Sequence, residues 1–224
     1  MAVRSDLKRL SYAVLFDGAR ENCPSAQWDE RGYAASWVQN VMPGLPLAEI
    51  ASDLAEGAGH ELRRKLRAAH SSSALAINAF GSWRVTPRRF SLGSMTNFRS
   101  MRFSPFYERL KRTDCAWSDQ LDRLRVDPTC YGLVDAAQLV KHAFGLRARY
   151  GAAAVRILYV YWEPLNAHRW DECGKHREDA EALARHVAGS SVSLVAMSYR
   201  ELWSTWEAEH LEYLRRRYER PVHG

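Results

Sequence analysis

Features that would define several classes of protein are missing from this sequence of 224 residues. No window approaches the ~18 uninterrupted apolar residues that a transmembrane helix requires. The charged N-terminus lacks both the apolar run and the small-residue cleavage site of a signal peptide. With 46% hydrophobic and 26% charged residues, the composition is that of an ordinary globular chain. We therefore expect a cytoplasmic protein without a membrane partner.

Cysteine is scarce, and its spacing excludes a zinc ribbon. The chain has four cysteines, far apart in sequence: Cys23, Cys115, Cys130 and Cys173. No CxxC pair occurs, so we expect buried thiols in a reducing compartment. His168, Cys173 and His176 are residue types that bind zinc, but their spacing matches no structural zinc site. A loop followed by a helix start is the favoured interpretation of this segment.

Motifs of phosphate-binding loops and serine hydrolases are also absent. The chain contains neither G-x-x-x-x-G-K-[ST] nor G-x-S-x-G. Residues 71–73 are three serines directly after His70, and an adjacent histidine cannot easily turn back to activate the next hydroxyl. Because serine hydroxyls compete for backbone groups, these residues instead predict a kink or a second helix start.

Lysine is rare, and the positive charge is concentrated in one segment. Only five of the 32 basic residues are lysine, and the net charge is +6. Residues 84–112 hold eight basic groups and one acid, while the rest of the chain is close to neutral. The basic groups are Arg84, Arg88, Arg89, Arg99, Arg102, Arg109, Lys111 and Arg112. Clustered cations favour nucleic acid, since they release its counterions; a solvated arginine-rich loop remains the alternative.

The C-terminal half has the clearest secondary-structure pattern. Residues 155–162 are β-branched or aromatic apart from one arginine, which predicts a strand buried on both faces. An amphipathic helix over 170–188 and a second apolar strand over 192–197 follow, and a last helix covers 199–218. Strand, helix and strand in this order predict a right-handed βαβ unit with parallel, adjacent strands.

The N-terminal half reads as helical segments separated by irregular chain. We expect a helical start and then irregular structure over 1–48. The helical region over 47–80 contains a short helix that Ser52 caps, a break at Gly57 and Gly59, and a helical run that resumes at Glu61. Further on, 104–126 predicts a helix with a break near Asp114.

A helix over residues 131–146 carries a polar stripe. Its apolar positions follow helical spacing, and Gly145 suits a C-terminal cap. Gln138, Lys141 and His142 lie three and four residues apart on one side. Glutamine can position a water and lysine can hold a phosphate, so this stripe is a candidate site. A solvated stripe on an amphipathic helix is the other interpretation.

Four sequence blocks, in order, carry a resemblance. They are KLRAAHSSSALAINAFG (65–81), DAAQLVKHAFGL (135–146), LYVYWEPLNA (158–167) and SYRELWSTW (198–206). Together they resemble a bacterial family of restriction endonuclease-like proteins within the PD-(D/E)xK nuclease superfamily. The resemblance implies an α/β fold with a reduced restriction-endonuclease-like core, a βαβ unit in the C-terminal half and flanking helices.

The resemblance also implies an organisation, a partner and an activity. We expect a single α/β domain over 1–224, with an N-terminal extension over 1–48 and a nuclease-like core over 49–224. The implied partner is DNA, a homodimer is an open alternative, and the implied activity is Mg²⁺-dependent DNA hydrolysis in bacterial defence. Glu61 matches an acid that would be catalytic and bind the metal, and Gln138 matches the glutamine after the catalytic hairpin. Lys141 lies beside that glutamine.

The residues depart from the family at its catalytic motif. The superfamily uses an Asp on one strand and a (D/E)-x-K on the next to hold Mg²⁺ and orient water. Here the only D-x-K is Asp6–Lys8, at the wrong end of the chain, and no acid lies between Trp83 and Tyr107. We therefore expect a DNA-binding protein with weak or no metal-dependent cleavage, with Mg²⁺ as cofactor only if the chain is active.

Two alternatives stay open. One is an active endonuclease with a migrated site built from Glu61, Asp114 or Asp119, and Lys141. The other is a protein-interaction domain that uses some of its eight tryptophans, although most of these should pack in the core.

Overall fold

The structure is a computed structural model that describes residues 2–56, 65–81, 115–151, 153–206 and 210–224. The described chain forms two compact units. The first comprises 2–56, 65–81, 164–166, 206 and 210–224, and the second comprises 115–151, 153–163 and 167–205. Across these ranges no helix is long and apolar enough to span a membrane.

The described residues form a mixed α/β fold, and their two strands make a parallel sheet in the second unit. The elements are α1 (Ala2–Asn22), α2 (Leu47–Glu56), α3 (Ser72–Phe80), α4 (Cys115–Val126), α5 (Ala136–Tyr150), β1 (Val155–Tyr161), α6 (Asp171–His186), β2 (Val192–Ser198), α7 (Tyr199–Ser204) and α8 (Leu211–Tyr218). Two short 3-10 helices cover Trp37–Asn40 and Ala167–Arg169. The single-domain assignment and the boundary between 48 and 49 stay predictions.

The predicted βαβ unit is confirmed in the second unit. Strands β1 and β2 pair in parallel, with a register that runs from Val155 opposite Val192 to Tyr161 opposite Ser198. Helix α6 connects them, as a parallel pair requires a crossover. On α4, the indole Nε1 of Trp117 donates a 2.7 Å hydrogen bond to the carbonyl of Val192. That bond ties α4 to the first residue of β2.

The prediction that β1 is buried on both faces is wrong. Arg156 is exposed, and Leu158 keeps 40% of its surface. Side chains alternate between the two faces of a strand, and Tyr159 on the other face contacts His176 of α6. The apolar run therefore marks a strand with one covered face, because valine, isoleucine and tyrosine favour strands whether or not both faces are buried.

Helix α5 begins later and ends later than the pattern of 131–146 predicts. The Asp135 side chain accepts a hydrogen bond from the Gln138 backbone N–H and so caps the helix. Gly145 does not end it; a glycine inside a helix costs only about 1 kcal/mol. The helix ends at Gly151, whose φ of 61° favours a residue without a β carbon. Its last turn carries Arg147 and Arg149, which suit the negative end of the helix dipole.

In the first unit, the break predicted at Gly57 and Gly59 lies outside the described residues. Ser52 lies inside α2 rather than at its start. Residues 66–71 are not helical, because Ala68 instead pairs with Tyr33 as an isolated bridge. The second helix start at the serines is confirmed, since the Ser71 hydroxyl accepts a hydrogen bond from the Ala74 N–H.

Each unit has its own apolar core. In the first unit, buried side chains from α2, from α3, from the chain before α2 and from the chain between the two helices pack together: Val41, Leu45, Ile50, Leu66, Ala74 and Ile77. In the second, buried side chains come from α4, α5 and α6: Trp117, Leu121, Leu139, Val140, Phe144 and Leu183. The single last helix predicted over 199–218 is instead two helices, α7 and α8, because α7 ends at Ser204.

Candidate functional site

Only part of the predicted site lies in the described chain. Gln138 and Lys141 are both half-buried on α5. Glu61, Asp114 and the basic segment 84–112 lie outside the described residues. Gln138 and Lys141 thus lie three residues apart on one helix, and the catalytic and binding roles of all the predicted residues stay predictions.

The first turns of α5 form a small polar network. The Gln138 amide Nε2 lies 3.3 Å from His142 Nε2, one turn further along the helix. Asp135 is held by its capping bond to the Gln138 backbone. The glutamine side chain is thus positioned by a neighbour on its own helix, and it retains a carbonyl oxygen for a further partner.

A second polar pair connects the sheet to α6. The Tyr159 hydroxyl lies 2.8 Å from His176 Nε2. The Tyr161 ring, two residues along β1, meets the His176 ring edge-on at 4.6 Å between centroids. His176 is therefore held between two tyrosines on the covered face of β1.

Burial sets the protonation state of these groups. It lowers the pKa of both His142 and His176, against the opposing charges of Asp135 and Glu163 respectively. It raises the pKa of Tyr159, with Tyr161 and Asp135 adding to the shift. At neutral pH the imidazoles are neutral and the phenol is protonated. This cluster offers hydrogen bonds and weak bases rather than cations.

Glu163, two residues after the end of β1, has a nearly buried carboxylate. The Glu163 side chain is 6% exposed and accepts two hydrogen bonds from Arg177 of α6, at 2.7 and 2.6 Å. This bidentate pair raises the pKa of Arg177. Since both carboxylate oxygens are occupied by Arg177, Glu163 is engaged in an ion pair.

The described residues do not fit a Mg²⁺ or zinc site. They hold no group of three or more His, Cys, Asp or Glu side chains placed to bind a metal ion. His168 is exposed in the 3-10 helix, whereas Cys173 is buried and its pKa is raised by that burial to about 11. His176 faces Tyr159 instead. The predicted loop and helix start is the arrangement observed in this segment.

The remaining candidates lie on α4 and at the start of α3. Asp119, named for a migrated site, is exposed on α4. Ser71 caps α3, and Ser73 is buried within that helix.

The pairing of Tyr159 with His176 is not predicted from the sequence. The sequence pattern presents the tyrosine only as an apolar strand residue, and the histidine only as a candidate metal ligand. The available signal is the alternation of Tyr159 and Tyr161 along the strand, which places both hydroxyl-bearing rings on one face.

The chain matches no family model, no curated protein and no solved structure.

Proposed function

We propose that this chain is a restriction-endonuclease-like protein that binds double-stranded DNA and cleaves it weakly or not at all. The observation that carries the proposal is the concentration of charge, eight basic groups against one acid within residues 84–112. Such a segment gains free energy on DNA from released counterions. The four-block resemblance supports the same class.

The surroundings of the other arginines support assigning the DNA-attracting charge to residues 84–112. Many arginines of the described chain lie within 4.0 Å of a carboxylate, and these include Arg9, Arg125, Arg177, Arg185, Arg215, Arg216 and Arg220. Their charge is balanced locally and contributes little to a long-range field. The excess charge that could attract a polyanion therefore belongs to the basic segment.

The test is a charge-reversal series in a DNA-binding titration. The variant Arg88→Glu/Arg89→Glu should weaken binding and lower the salt slope by about 0.9 for each phosphate that the segment no longer neutralises. The matched control, Arg9→Glu/Arg185→Glu, makes the same change in net charge at two exposed, carboxylate-paired positions. Equal weakening in both variants would mean that only net charge matters, and would overturn the assignment to this segment.

The cleavage part of the proposal has its own experiment. Mg²⁺ needs several oxygen ligands in near-octahedral geometry, and the acid-poor segment opposes it electrostatically. Purified chain incubated with supercoiled plasmid and Mg²⁺ or Mn²⁺ should leave the plasmid intact. Robust nicking that is abolished in Glu61→Ala would overturn this part and favour the migrated site.

A further inference from the structure

A fully buried arginine lies at the centre of the first unit. Arg217 of α8 is 0% exposed, and among the described residues no carboxylate lies within ion-pair distance of it. Its Nη2 donates to the Asn40 side-chain oxygen, and its Nε has no hydrogen-bond partner. Burying a charge without an anion is costly, so a group that can become negative is expected beside it.

Cys23 occupies that position. Arg217 Nη1 donates to the Cys23 sulfur at 3.4 Å and to the Tyr213 hydroxyl at 2.8 Å. The Tyr213 hydroxyl in turn lies 3.4 Å from the same sulfur. Cysteine, tyrosine and arginine thus form a closed triangle of contacts.

The tyrosines are poor candidates for the missing anion. Burial raises the pKa of Tyr213, although Arg217 opposes that shift. Burial likewise raises the pKa of Tyr218, the other phenol against Arg217. The thiol of Cys23 is the third group of this triangle, and it contacts the guanidinium directly.

Cys23 is also accessible. It is half-buried and lines an open cleft of about 730 Å³. The charged side chains of that cleft are four carboxylates and one guanidinium, from Asp17, Glu21, Asp29, Glu30 and Arg20. Glu21 is paired with Arg220. This acidic lining disfavours anionic reagents and admits small uncharged ones.

The carboxylates of the cleft and one feature of the backbone both oppose negative charge on the sulfur. Cys23 directly follows α1, whose C-terminal end carries about half a negative charge. The guanidinium carries a full positive charge and contacts the sulfur directly. The guanidinium is the full charge that the structure places in direct contact with the sulfur, the setting in which reactive cysteines are found.

We propose that Cys23 is a modification site, a nucleophilic thiol that reacts with small uncharged electrophiles and with peroxides. With a peroxide, the sulfur attacks one oxygen, an S–O bond forms and the O–O bond breaks. The sulfur is oxidised by two electrons to a sulfenic acid, and the departing hydroxide takes a proton from solvent and leaves as water.

The test is site-resolved alkylation of the full chain with iodoacetamide at neutral pH, followed by peptide mass spectrometry. Cys23 should react about tenfold faster in the folded chain than in the chain unfolded in urea. Cys130 and Cys173 are internal controls, since burial raises the pKa of both thiols and both should react more slowly when folded. Slower reaction of Cys23 in the folded chain would overturn the proposal.

Two further arms separate activation from mere exposure. A folded Arg217→Met variant should lose the excess reactivity of Cys23; unchanged reactivity would contradict a role for the guanidinium. If that variant does not fold, the comparison of the folded and unfolded wild-type chain still tests the proposal.

Peroxide followed by dimedone should label Cys23 and leave Cys173 unlabelled, whereas equal labelling would contradict the assignment. Iodoacetate should react with Cys23 more slowly than iodoacetamide, relative to the unfolded chain, and a faster reaction would overturn the role of the acidic cleft.

Discussion

Gly18 of α1 lies directly against the backbone carbonyl of Arg217 in α8. A β carbon at position 18 would overlap the Arg217 oxygen, far inside van der Waals contact. The obstacle is backbone rather than a flexible side chain, so it cannot move aside without shifting a helix. The glycine therefore sets how closely α1 and α8 pack.

Gly18→Ala should destabilise the protein by about 1–3 kcal/mol, the usual cost of overpacking. The matched control is Gly145→Ala in α5, where an added β carbon meets no atom within 4 Å. That change should stabilise by about 0.5–1 kcal/mol, because alanine favours a helix over glycine. Urea unfolding of both variants measures the difference, and equal effects would contradict the close approach.

Stability should fall as the pH drops below about 6.5, the ordinary pKa of histidine. Burial lowers the pKa of His70, His142 and His176 in the folded state, so the unfolded chain binds protons that the folded chain does not. The contribution of these groups is complete above pH 6.5 and is lost at lower pH. Urea midpoints at pH 7.5 and 5.5 measure the fall.

His142→Gln should make that fall smaller, because one group no longer takes up a proton on unfolding. The exposed His168 supplies the matched control for the substitution, so the effect of His142→Gln is compared with that of His168→Gln. An equally steep fall in the His142 variant would contradict a lowered pKa at this position.

The βαβ unit is predictable from the sequence, whereas the Arg217 network is not. Two short apolar runs joined by an amphipathic helix predict a crossover connection, and a crossover connection joins parallel strands. Arg217, by contrast, is the third of three consecutive arginines, a pattern typical of a solvated face. Its partners Asn40 and Cys23 are 177 and 194 residues away in the chain. Only tertiary packing selects which of the three arginines is buried.

The end of a helix is likewise not always predictable from local sequence. Gly145 and Gly151 are both plausible terminators of α5, and local sequence does not distinguish them. The choice depends on backbone geometry, since Gly151 takes the positive φ and its N–H donates to the Arg147 carbonyl. The serine cap at Ser71 is predictable, because a hydroxyl before an apolar run is itself the local signal.

Removing the Glu163 carboxylate charge should destabilise the second unit. Glu163→Gln replaces one charged acceptor of the Arg177 guanidinium with an amide group, and we expect a loss of about 1–3 kcal/mol. Arg177 is 42% exposed, so water compensates part of the loss. Glu181→Gln is the control, since its pair with Arg185 is solvent-exposed on both sides and should contribute under about 1 kcal/mol. Similar losses in the two variants would contradict the difference in burial.

Ser71→Ala should cost about 1 kcal/mol because it removes the helix cap. Ser72 is exposed and is the next residue in the chain, so Ser72→Ala is a matched control with little expected effect. Thermal unfolding of the two variants separates them. A Ser71 variant as stable as the Ser72 variant would mean that the hydroxyl contributes nothing to α3.

The salt dependence of wild-type binding to duplex DNA is the decisive measurement for the proposed function. Equilibrium titrations of one labelled duplex over a series of KCl concentrations give the slope of log K against log salt. One phosphate contact from each of five arginines predicts a slope of about −4.5, at about 0.9 per contact. These are Arg84, Arg88, Arg89, Arg99 and Arg102. The slope should be similar for unrelated duplex sequences. A slope near zero, or no binding at low salt, would contradict DNA binding by the basic segment.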